Sequence, residues 1–508
     1  MPEAPRPLRP SRTESVSLGS LLGDPTPISG VTLDSRRVCP GDLYVALPGQ
    51  LTHGARFAAA AVAAGAVAIL TDPAGAALLE QPGVPVVVRP DPRGEVAALA
   101  ATVYRRPADR LMMFGVTGTA GKTSTVFLLE AGLAAAGRSV GTIGTLGYRL
   151  RGELLPAERS TITTPEAPDL QALLAVLAER GADTVAMEVS SHALALHRVD
   201  EIVFGVAGFT NLGHDHLDFH HDQESYFRAK ASLFRDGRCR AAVVNTDDPW
   251  GRRLADELRS DPRLRLATTG APDADYRILS QHQREDGGRR IRLATPTGEV
   301  EFGLGLIGDF NVLNALTAAA MLDQAGIDLD AALAGFATAS IPGRMQRVPL
   351  PGEAPNVVVD FAHTPESVTA ALAALPPART FVVLGCGGDR DQAKREPMGE
   401  AAAGGADVVV VTDDNPRSEP PATIRQAVLA GARRRAETTG AQVLDGGDRR
   451  NAIRTALGQA GPGEWVAILG KGHERGQEVA GVITSFDDVT VVTETWQELQ
   501  SGGARWTD

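Results

Sequence analysis

The sequence predicts an α/β protein with three domains built on mostly parallel sheets. Apolar strand patterns alternate with helical patterns along most of the chain, and several of these strands end in Gly, Asp or His. A glycine-rich turn stands between one strand and the helix that follows it. The 508 residues are also too many for one hydrophobic core.

The predicted domains cover residues 1–107, 108–341 and 342–508. The first alternates short apolar runs (LYVAL, AVAIL, VPVVV) with Ala-rich helical stretches, which indicates a small α/β domain. A Pro-Gly turn in IPGRMQRV marks the second boundary. The last domain has four apolar strands (NVVVDFA, TFVVLGC, DVVVVTDD, EWVAILG), and ligands gather at such strand ends in open α/β sheets. The Pro- and Arg-rich residues 1–15 are expected to form a disordered tail.

Composition narrows the possible partners. The net charge of -12 argues against a nucleic-acid partner, because backbone phosphates repel an acidic surface. No apolar run is long enough to span a membrane, and the first residues do not resemble a signal peptide. The three cysteines are far apart in the sequence, which disfavours a disulfide framework. We therefore expect a cytoplasmic protein without a membrane span.

Lysine is rare in this chain. Only Lys122, Lys230, Lys394 and Lys471 occur among 50 basic residues, so the other 46 are arginine. A coding bias that replaces lysine with arginine would keep lysine where arginine cannot serve. Lysine has a compact ammonium whose pKa can fall, whereas arginine keeps its proton. All four lysines lie in motifs, although chance retention remains an alternative for any one of them.

A phosphate-binding loop is predicted after the strand at residues 111–116. Glycines there let backbone N–H groups close around phosphate oxygens at a helix start. Lys122 would reach the β- and γ-phosphates, and the Thr123 hydroxyl would bind Mg²⁺. Val116 stands where the usual motif has glycine, and a glycine-rich turn without nucleotide is the alternative. The loop residues are Gly118, Thr119, Ala120, Gly121, Lys122, Thr123 and Ser124.

A second cluster combines an acidic residue with histidines. Glu188 ends a strand near the phosphate loop, where a carboxylate suits Mg²⁺ because this ion prefers oxygen ligands. Six of the ten histidines lie between His192 and His221. A zinc site is disfavoured because no cysteine takes part. We expect His214, His220 and His221 to be surface or hydrogen-bonding residues.

Lys230 lies in an apolar helical stretch, where burial would lower its pKa. A neutral lysine amine can take up CO₂ and become a carbamate, which is an anionic oxygen ligand. Arginine cannot do this. The alternative is a surface lysine whose stem covers apolar neighbours.

These motifs together resemble the Mur ligase family, in particular members that add the third amino acid to a UDP-linked peptidoglycan precursor. The resemblance rests on TGTAGKTS, EVSSHAL, GDFNVLNA, DNPR and GKGHE and extends over residues of about 30 to 490. It implies an N-terminal UDP-precursor domain, a central ATP-binding domain and a C-terminal Rossmann-like amino-acid domain. The implied substrates are UDP-MurNAc-L-Ala-D-Glu, ATP and a diamino acid, and we expect a monomer.

The resemblance also assigns residue roles. It implies two Mg²⁺ ions, the first at Thr123 and Glu188 and the second at His216 and a carbamate on Lys230. Lys122, Lys230 and His216 are then the catalytic residues. ATP contacts would also come from Asn314, Arg344 and Asp360, and the precursor contacts from Ser35, Thr163, Thr164, Ser190 and Arg198. The chain departs from the family pattern at Ala120, Leu196 and Phe361.

The C-terminal motifs predict which amino acid is added. By resemblance the amino-acid site contains Arg390, Asp414, Asn415, Pro416, Arg417, Gly470 and Glu474. The far carboxylate of meso-diaminopimelate would pair with the Arg417 fork in two hydrogen bonds. L-Lysine or L-ornithine would leave that arginine unpaired, yet both remain open. Other possibilities are a MurF-like or folylpolyglutamate-type ligase, or a P-loop ATP-binding module without ligation.

Overall fold

The computed structural model describes residues 8–11, 14–17, 19–49, 51–156, 162–213, 215–284 and 287–501. The chain forms two compact units. The first contains Met1–Ser280, Arg292–Phe302 and Leu313–Phe336, and the second contains Gln281–Ile291, Gly303–Val312 and Ala337–Asp508. Within the described ranges, no helix has the length and apolar character needed to cross a membrane.

The first unit begins with a small parallel sheet of order β3-β4-β5-β6 and a two-stranded sheet of β1 and β2. The strands are β1 (Val16–Ser17), β2 (Pro27–Ile28), β3 (Gly30–Thr32), β4 (Asp42–Ala46), β5 (Ala68–Thr71) and β6 (Val86–Val88). The helices are α1 (Gly19–Leu22), α2 (Ala58–Ala63), α3 (Pro73–Ala76) and α4 (Pro92–Val103), with 3-10 turns at Ser35–Arg37, Gly54–Phe57 and Pro107–Arg110. Strands β4 and β5 are buried along their whole length, as expected for parallel strands covered on both faces.

Part of the predicted tail is anchored to this region. The Arg9 guanidinium donates to both carboxylate oxygens of the buried Asp42 at the start of β4. The Ser11 backbone N–H donates to the Glu179 carboxylate at 2.9 Å. Residues 8–11 are therefore held by specific bonds, and residues 1–7 and 12–13 of the predicted tail lie outside the described residues.

The larger sheet of the first unit has eight strands in the order β10-β9-β8-β11-β7-β12-β13-β14. Strands β8, β11, β7, β12, β13 and β14 are parallel, and β9 and β10 extend one edge antiparallel. The strands are β7 (Met112–Thr117), β8 (Val140–Gly144), β9 (Gly147–Leu150), β10 (Glu153–Leu154), β11 (Thr184–Glu188), β12 (Phe204–Phe209), β13 (Cys239–Asn245) and β14 (Arg265–Thr269). The helices are α5 (Lys122–Ala135), α6 (Ala167–Glu179), α7 (Ser191–Ala195), α8 (Leu217–His220), α9 (Gln223–Ala231) and α10 (Pro249–Leu258), with a 3-10 turn at Ser232–Phe234.

A three-stranded sheet of order β15-β16-β17 and two helices follow along the chain. They are β15 (Arg277–Gln283), β16 (Arg289–Thr295), β17 (Gly298–Leu304), α11 (Asp309–Gln324) and α12 (Leu329–Ala334), followed by a 3-10 turn at Gly335–Ala337. Helix α11 carries the GDFNVLNA motif in its first turns.

The second unit is built on a six-stranded sheet of order β18-β19-β23-β20-β21-β22. Its strands are β18 (Gln346–Val348), β19 (Asn356–Asp360), β20 (Thr380–Leu384), β21 (Val408–Thr412), β22 (Gln442–Gly447) and β23 (Trp465–Leu469), and a separate hairpin has β24 (Gly476–Val479) and β25 (Val482–Ser485). The helices are α13 (Pro365–Ala373), α14 (Arg395–Gly405), α15 (Pro421–Thr439), α16 (Arg449–Gln459) and α17 (Asp488–Ser501). All neighbours are parallel except β18 with β19.

The four apolar strands predicted near the C-terminus are β19, β20, β21 and β23, which are adjacent in the sheet. Their carboxyl ends therefore lie at one edge. The structure confirms the predicted α/β class with parallel sheets in both units.

Candidate active site

The phosphate loop joins β7 to α5. Gly118 and Gly121 have positive φ angles of 152° and 85°, a conformation that residues with a side chain rarely adopt. Lys122 begins the helix, and its Nζ donates to the Gly118 carbonyl at 2.8 Å and the Thr119 carbonyl at 2.9 Å. The local geometry is thus the predicted strand, glycine-rich turn and helix.

Ala120 is held through its backbone. The Asn211 side chain accepts from the Ala120 N–H at 2.9 Å and donates to the Ala120 carbonyl at 3.2 Å. The Thr210 hydroxyl donates to the same carbonyl at 2.6 Å. Strand β12 ends at Phe209 beside β7, so these two residues reach the loop from the neighbouring strand end.

Glu188 is the last residue of β11 and is buried next to the loop. Its carboxylate accepts from the Thr123 hydroxyl at 3.0 Å, the Thr145 N–H at 2.9 Å and the Thr145 hydroxyl at 3.1 Å. A Cβ on Gly144 would collide with this carboxylate, so a larger residue there would displace the Glu188 side chain. The structure therefore joins Thr123 and Glu188, two of the predicted metal ligands, in one hydrogen bond.

Lys230 lies on α9 and is 1% exposed, which excludes the surface alternative. Its Nζ donates to the Gly118 carbonyl at 2.8 Å and lies 4.5 Å from the centre of the Tyr226 ring. Burial, and next the nearby Lys122 charge, hold the pKa of Lys230 well below its usual range. This amine is consequently close to the phosphate loop and biased toward its neutral form.

The histidines form an aromatic cluster at the start of α9. His192 lies 4.8 Å from His216 and 5.5 Å from His220 between ring centres. His220 is buried against Phe219 and Tyr226, so the surface alternative is wrong for this residue. Burial lowers the pKa of His220 to about 4, and His192 adds to the effect.

The other histidines differ in placement. His221 is exposed, and His214 lies outside the described residues. His216 is largely exposed and has a positive φ of 54°. In the described part of the chain, no three His, Cys, Asp or Glu side chains meet in an arrangement that could hold a metal ion.

A cavity of about 960 Å³ in the first unit contains the predicted precursor residue Ser35. Glu166 and Arg93 also line it and lie 3.3 Å apart, as an ion pair. The 3-10 turn at Ser35–Arg37 and the segment before α6 both line it. The cavity is large enough for a nucleotide-sized ligand.

The remaining predicted precursor residues meet near Glu188. The Thr164 hydroxyl donates to the Glu188 carbonyl at 2.9 Å and lies 3.4 Å from the Ser190 hydroxyl. Arg198 donates to the Thr164 carbonyl at 3.0 Å and pairs with Glu166 at 2.7 Å. The Thr163 hydroxyl lies 3.2 Å from that of Thr145. Through Glu166, this cluster joins the wall of the cavity that contains Ser35.

Three residues outside the phosphate loop were predicted to contact ATP, one in the first unit and two in the second. A Cβ on Gly121 would collide with the Asn314 amide oxygen, so Asn314 lies directly against the phosphate loop. In the second unit, the Arg344 guanidinium stacks 4.8 Å from the Phe361 ring centre. Asp360 accepts from the Met345 N–H at 2.6 Å and the Ala362 N–H at 2.8 Å, while burial raises its pKa.

A second cavity, of about 410 Å³, lies at the carboxyl ends of β19, β20, β21 and β23. It collects residues from three motifs that are far apart in sequence. Six of the seven residues predicted for the amino-acid site line it: Arg390, Asp414, Asn415, Arg417, Gly470 and Glu474. The seventh, Pro416, lies between Asn415 and Arg417 in the sequence. This is the edge at which the strand pattern predicted a ligand site.

The polar groups of this cavity are organised by Lys471, which is fully buried. Its Nζ donates to the Asn415 amide oxygen at 3.1 Å and lies 3.4 Å from the Glu474 carboxylate. The Asn415 amide nitrogen donates to the same carboxylate at 2.9 Å. Burial raises the pKa of Asp414, although Arg449 and Lys471 oppose this shift.

Comparison with known proteins agrees with this arrangement. Three family models match in succession: "Mur ligase family, catalytic domain" over residues 27–104, "Mur ligase middle domain" over 116–322 and "Mur ligase, glutamate ligase domain" over 343–472. A Streptomyces avermitilis protein named UDP-N-acetylmuramoyl-L-alanyl-D-glutamate–2,6-diaminopimelate ligase is 46% identical over 512 residues, covering 98% of this chain and 99% of its own. The chain belongs to the Mur ligase family.

Solved structures of Mur ligases are also similar to this chain. One of a UDP-N-acetylmuramoyl-L-alanyl-D-glutamate–2,6-diaminopimelate ligase has a TM-score of 0.71 at 32% identity, covering 96% of this chain and 100% of the other. A MurF ligase from Thermotoga maritima in complex with ADP has a TM-score of 0.60 at 20% identity, covering 93% and 98%, which supports the fold alone.

Several residues in these sites were not predicted from the sequence. Asn211 and Thr210 hold the Ala120 backbone, Tyr226 lies 3.0 Å from the Thr119 hydroxyl, and Thr145 binds Glu188. The sequence signal for Asn211 was weak, namely a polar residue just after an apolar strand. The pair of Thr145 with Glu188 had no sequence signal, because it depends on β8 and β11 being neighbours.

Proposed function

We propose that this protein joins meso-diaminopimelate to UDP-MurNAc-L-Ala-D-Glu with the hydrolysis of ATP to ADP and phosphate. The observation that carries this proposal is the 410 Å³ cavity, where Arg390, Asn415, Arg417 and Glu474 converge. The printed names of relatives 46% identical over nearly the whole chain support the same reaction.

The proposed chemistry has two steps. The D-Glu side carboxylate attacks the γ-phosphorus of ATP, and ADP leaves to give an acyl phosphate. The amine of the amino acid then attacks the acyl carbon, loses a proton and displaces phosphate. Such phosphoryl transfer depends on positioning and charge neutralisation more than on covalent help from the protein.

Residues around the phosphate loop would supply that positioning. Lys122 is proposed to leave the Gly118 and Thr119 carbonyls, 2.8 and 2.9 Å away, and to bind the β- and γ-phosphates. Gly118, Thr119, Ala120, Gly121 and Ser124 would surround the phosphates through the loop and the first turn of α5.

Two Mg²⁺ ions are proposed, and the first would be held by Glu188 and Thr123. The buried Glu188 carboxylate and the Thr123 hydroxyl are oxygen ligands 3.0 Å apart, which suits this ion. The lowered pKa of Lys230 favours reaction of its neutral amine with CO₂, which gives a carbamate and one proton. That carbamate and His216 are the proposed ligands of the second ion. When bound, the two ions would neutralise charge on the transferring phosphoryl group.

The precursor is proposed to bind in the 960 Å³ cavity through Ser35, with its acidic end near Thr163, Thr164, Ser190 and Arg198. The ion pair of Arg198 with Glu166 at 2.7 Å supports this continuity, because Glu166 also lines the cavity. Asn314, Arg344 and Asp360 are each proposed to contact ATP.

Specificity for diaminopimelate would come from Arg417 and Glu474. A guanidinium can bind the far carboxylate in two hydrogen bonds, and a carboxylate can hold the neighbouring ammonium. Lysine and ornithine lack the far carboxylate, so the Arg417 guanidinium would have no substrate carboxylate to bind. Arg390, Asp414, Pro416 and Gly470 are proposed to shape the same site.

The proposal includes a monomer that acts in the cytoplasm, where ATP and the nucleotide-linked precursor are available. Light scattering of the purified protein would test the monomer, and a dimer mass would reject it.

The test of function is phosphate release from ATP with UDP-MurNAc-L-Ala-D-Glu and, separately, meso-diaminopimelate, L-lysine or L-ornithine. We expect turnover with meso-diaminopimelate and little with the others. Turnover only with lysine or ornithine would reject the role of Arg417 but keep the ligase. Release without any amino-acid dependence would reject ligation.

A further inference from the structure

The hairpin of β24 and β25 contacts the loop that carries the proposed amino-acid site. The Gln477 side-chain amide donates to the Asp414 carbonyl at 2.7 Å and to the Asp413 carbonyl at 3.5 Å. The Glu478 backbone N–H donates to the Asn415 amide oxygen at 3.0 Å. The first strand of the hairpin is thus bonded to Asp413, Asp414 and Asn415, which precede Pro416 and Arg417 in the chain.

The hairpin also bonds to Arg417 itself. The Arg417 N–H donates to the Glu478 carbonyl at 3.0 Å, and the Ala480 N–H donates to the Arg417 carbonyl at 2.7 Å. Arg417 has a φ of 53°, in the left-handed region that residues other than glycine rarely adopt. Such a backbone persists only where its surroundings hold it. The hairpin provides two of the bonds that do so.

The arginine side chain is fixed as well. Its Nη1 donates to the Gly388 carbonyl at 2.6 Å. A left-handed backbone and a bonded side chain together set the direction of the guanidinium fork. A small shift of the Arg417 backbone would therefore move the guanidinium away from the far carboxylate of the diamino acid, which it is proposed to bind through two hydrogen bonds.

We propose that Gln477 is a positioning residue for the diamino acid, and that hairpin β24–β25 sets the affinity of the enzyme for this substrate. The inference rests on the proposed function, because it assumes that Arg417 binds the far carboxylate. Gln477 acts through the Asp413 and Asp414 carbonyls and does not itself touch the substrate. Its loss changes binding of the amino acid and leaves phosphoryl transfer alone.

Two substitutions of matched size separate hydrogen bonding from packing. Gln477→Met removes the donor, and Gln477→Glu places a carboxylate against two carbonyl oxygens. We expect KM for meso-diaminopimelate to rise about threefold in the first and more than about tenfold in the second. The values of kcat and of KM for ATP stay unchanged. Val482→Thr, on the exposed second strand, is the control and changes none of them.

A second pair of variants tests the hairpin without touching Gln477. Gly481 in the hairpin turn has a φ of 77°, and a Cβ there meets no atom within 4 Å, so Gly481→Val strains the turn without a clash. Gly440, at the end of α15, has a φ of 78° and equally open surroundings. We expect Gly481→Val to raise KM for meso-diaminopimelate severalfold and Gly440→Val to leave it unchanged.

The outcomes are distinct. Equal effects of Gln477→Met and Gln477→Glu, no effect of either, or equal effects of the two glycine variants would overturn the positioning role. A parallel rise in KM for ATP would also overturn it, since that indicates general disruption of the unit. If the wild-type protein fails to use meso-diaminopimelate, the proposed function and this inference fall together. If the wild type uses it and the variants bind it normally, the inference alone fails.

Discussion

Each unit of the molecule contains one lysine that is almost fully buried, and the two lysines have different partners. Lys230 donates to a neutral carbonyl, that of Gly118, and has a second cation, Lys122, nearby. Lys471 lies 3.4 Å from a carboxylate, that of Glu474. Burial of a charge is costly unless a counter-charge offsets it. Burial beside a second cation therefore lowers the pKa of the Lys230 amine, whereas the Lys471 amine lies beside a carboxylate.

Replacing Lys230 should have the largest effect. Lys230→Met removes the amine that we propose to become a metal-binding carbamate, so kcat should fall about a thousandfold, since metal stabilisation of charge is worth several kcal/mol. With ¹³C-labelled bicarbonate, NMR should detect a carbamate in the wild type and none in the variant. Arg228→Gln, at an exposed position of the same helix, should keep full activity. A kcat close to wild type in Lys230→Met would remove the proposed distinction between the lysines.

The second-largest effect is expected on stability, at the buried ion pair of Arg449 with Asp488 in the unit that contains Lys471. Both side chains are fully buried, their atoms are 2.7 Å apart, and Arg449 also donates to the Leu469 carbonyl at 3.1 Å. Arg449→Met should lower the free energy of unfolding by about 3–5 kcal/mol, because it leaves an uncompensated buried carboxylate. Urea denaturation would measure this.

The double variant Arg449→Met with Asp488→Leu is the control for that result and should recover most of the loss. Arg454→Ala breaks an exposed pair with Glu498 in the same unit and should cost less than about 1 kcal/mol. Equal losses at the buried and exposed pairs would contradict the argument.

Lys471→Met should have a smaller and more selective effect on catalysis than Lys230→Met. It removes the hydrogen bond to Asn415 and the counter-charge of Glu474, so KM for the diamino acid should rise about ten- to a hundredfold. KM for ATP should not change. Steady-state kinetics with each substrate varied would measure both. A fall in kcat as large as that of Lys230→Met would show that the two lysines do not differ in role.

The smallest effect is expected at Phe361. Phe361→Ala removes the ring on which Arg344 stacks, so KM for ATP should rise about threefold. Phe361→Tyr keeps the ring and should behave as wild type. If the alanine variant also behaves as wild type, the stacking has no part in ATP binding.

The sequence predicted what is local. The phosphate loop is a contiguous motif, and its strand, turn and helix form as expected because glycines and Lys122 determine the local conformation. The four apolar strands of the second unit were predicted as a group, and the cavity lies at their carboxyl ends. Lys230 was expected to be buried because its helix is apolar around it, and it is.

Contacts between neighbouring strand ends were not predictable from one sequence. Asn211 reaches Ala120 only because β12 lies beside β7, and Thr145 reaches Glu188 only because β8 lies beside β11. A surface position for His220 was wrong for a similar reason: its ring packs against Phe219 and Tyr226 in a cluster formed by folding. The bonds between Gln477 and the Asp413 and Asp414 carbonyls join residues about sixty positions apart.

The scarcity of lysine has a practical consequence for anyone who labels this protein. None of the four lysines is among the exposed residues, and Lys122, Lys230, Lys394 and Lys471 each lie in the phosphate loop, beside it or at the amino-acid cavity. Amine-directed dyes or surface coupling would therefore modify lysines at the candidate sites. Protection of Lys122 by nucleotide against such a reagent would also report occupancy directly, with few other amines to obscure the signal.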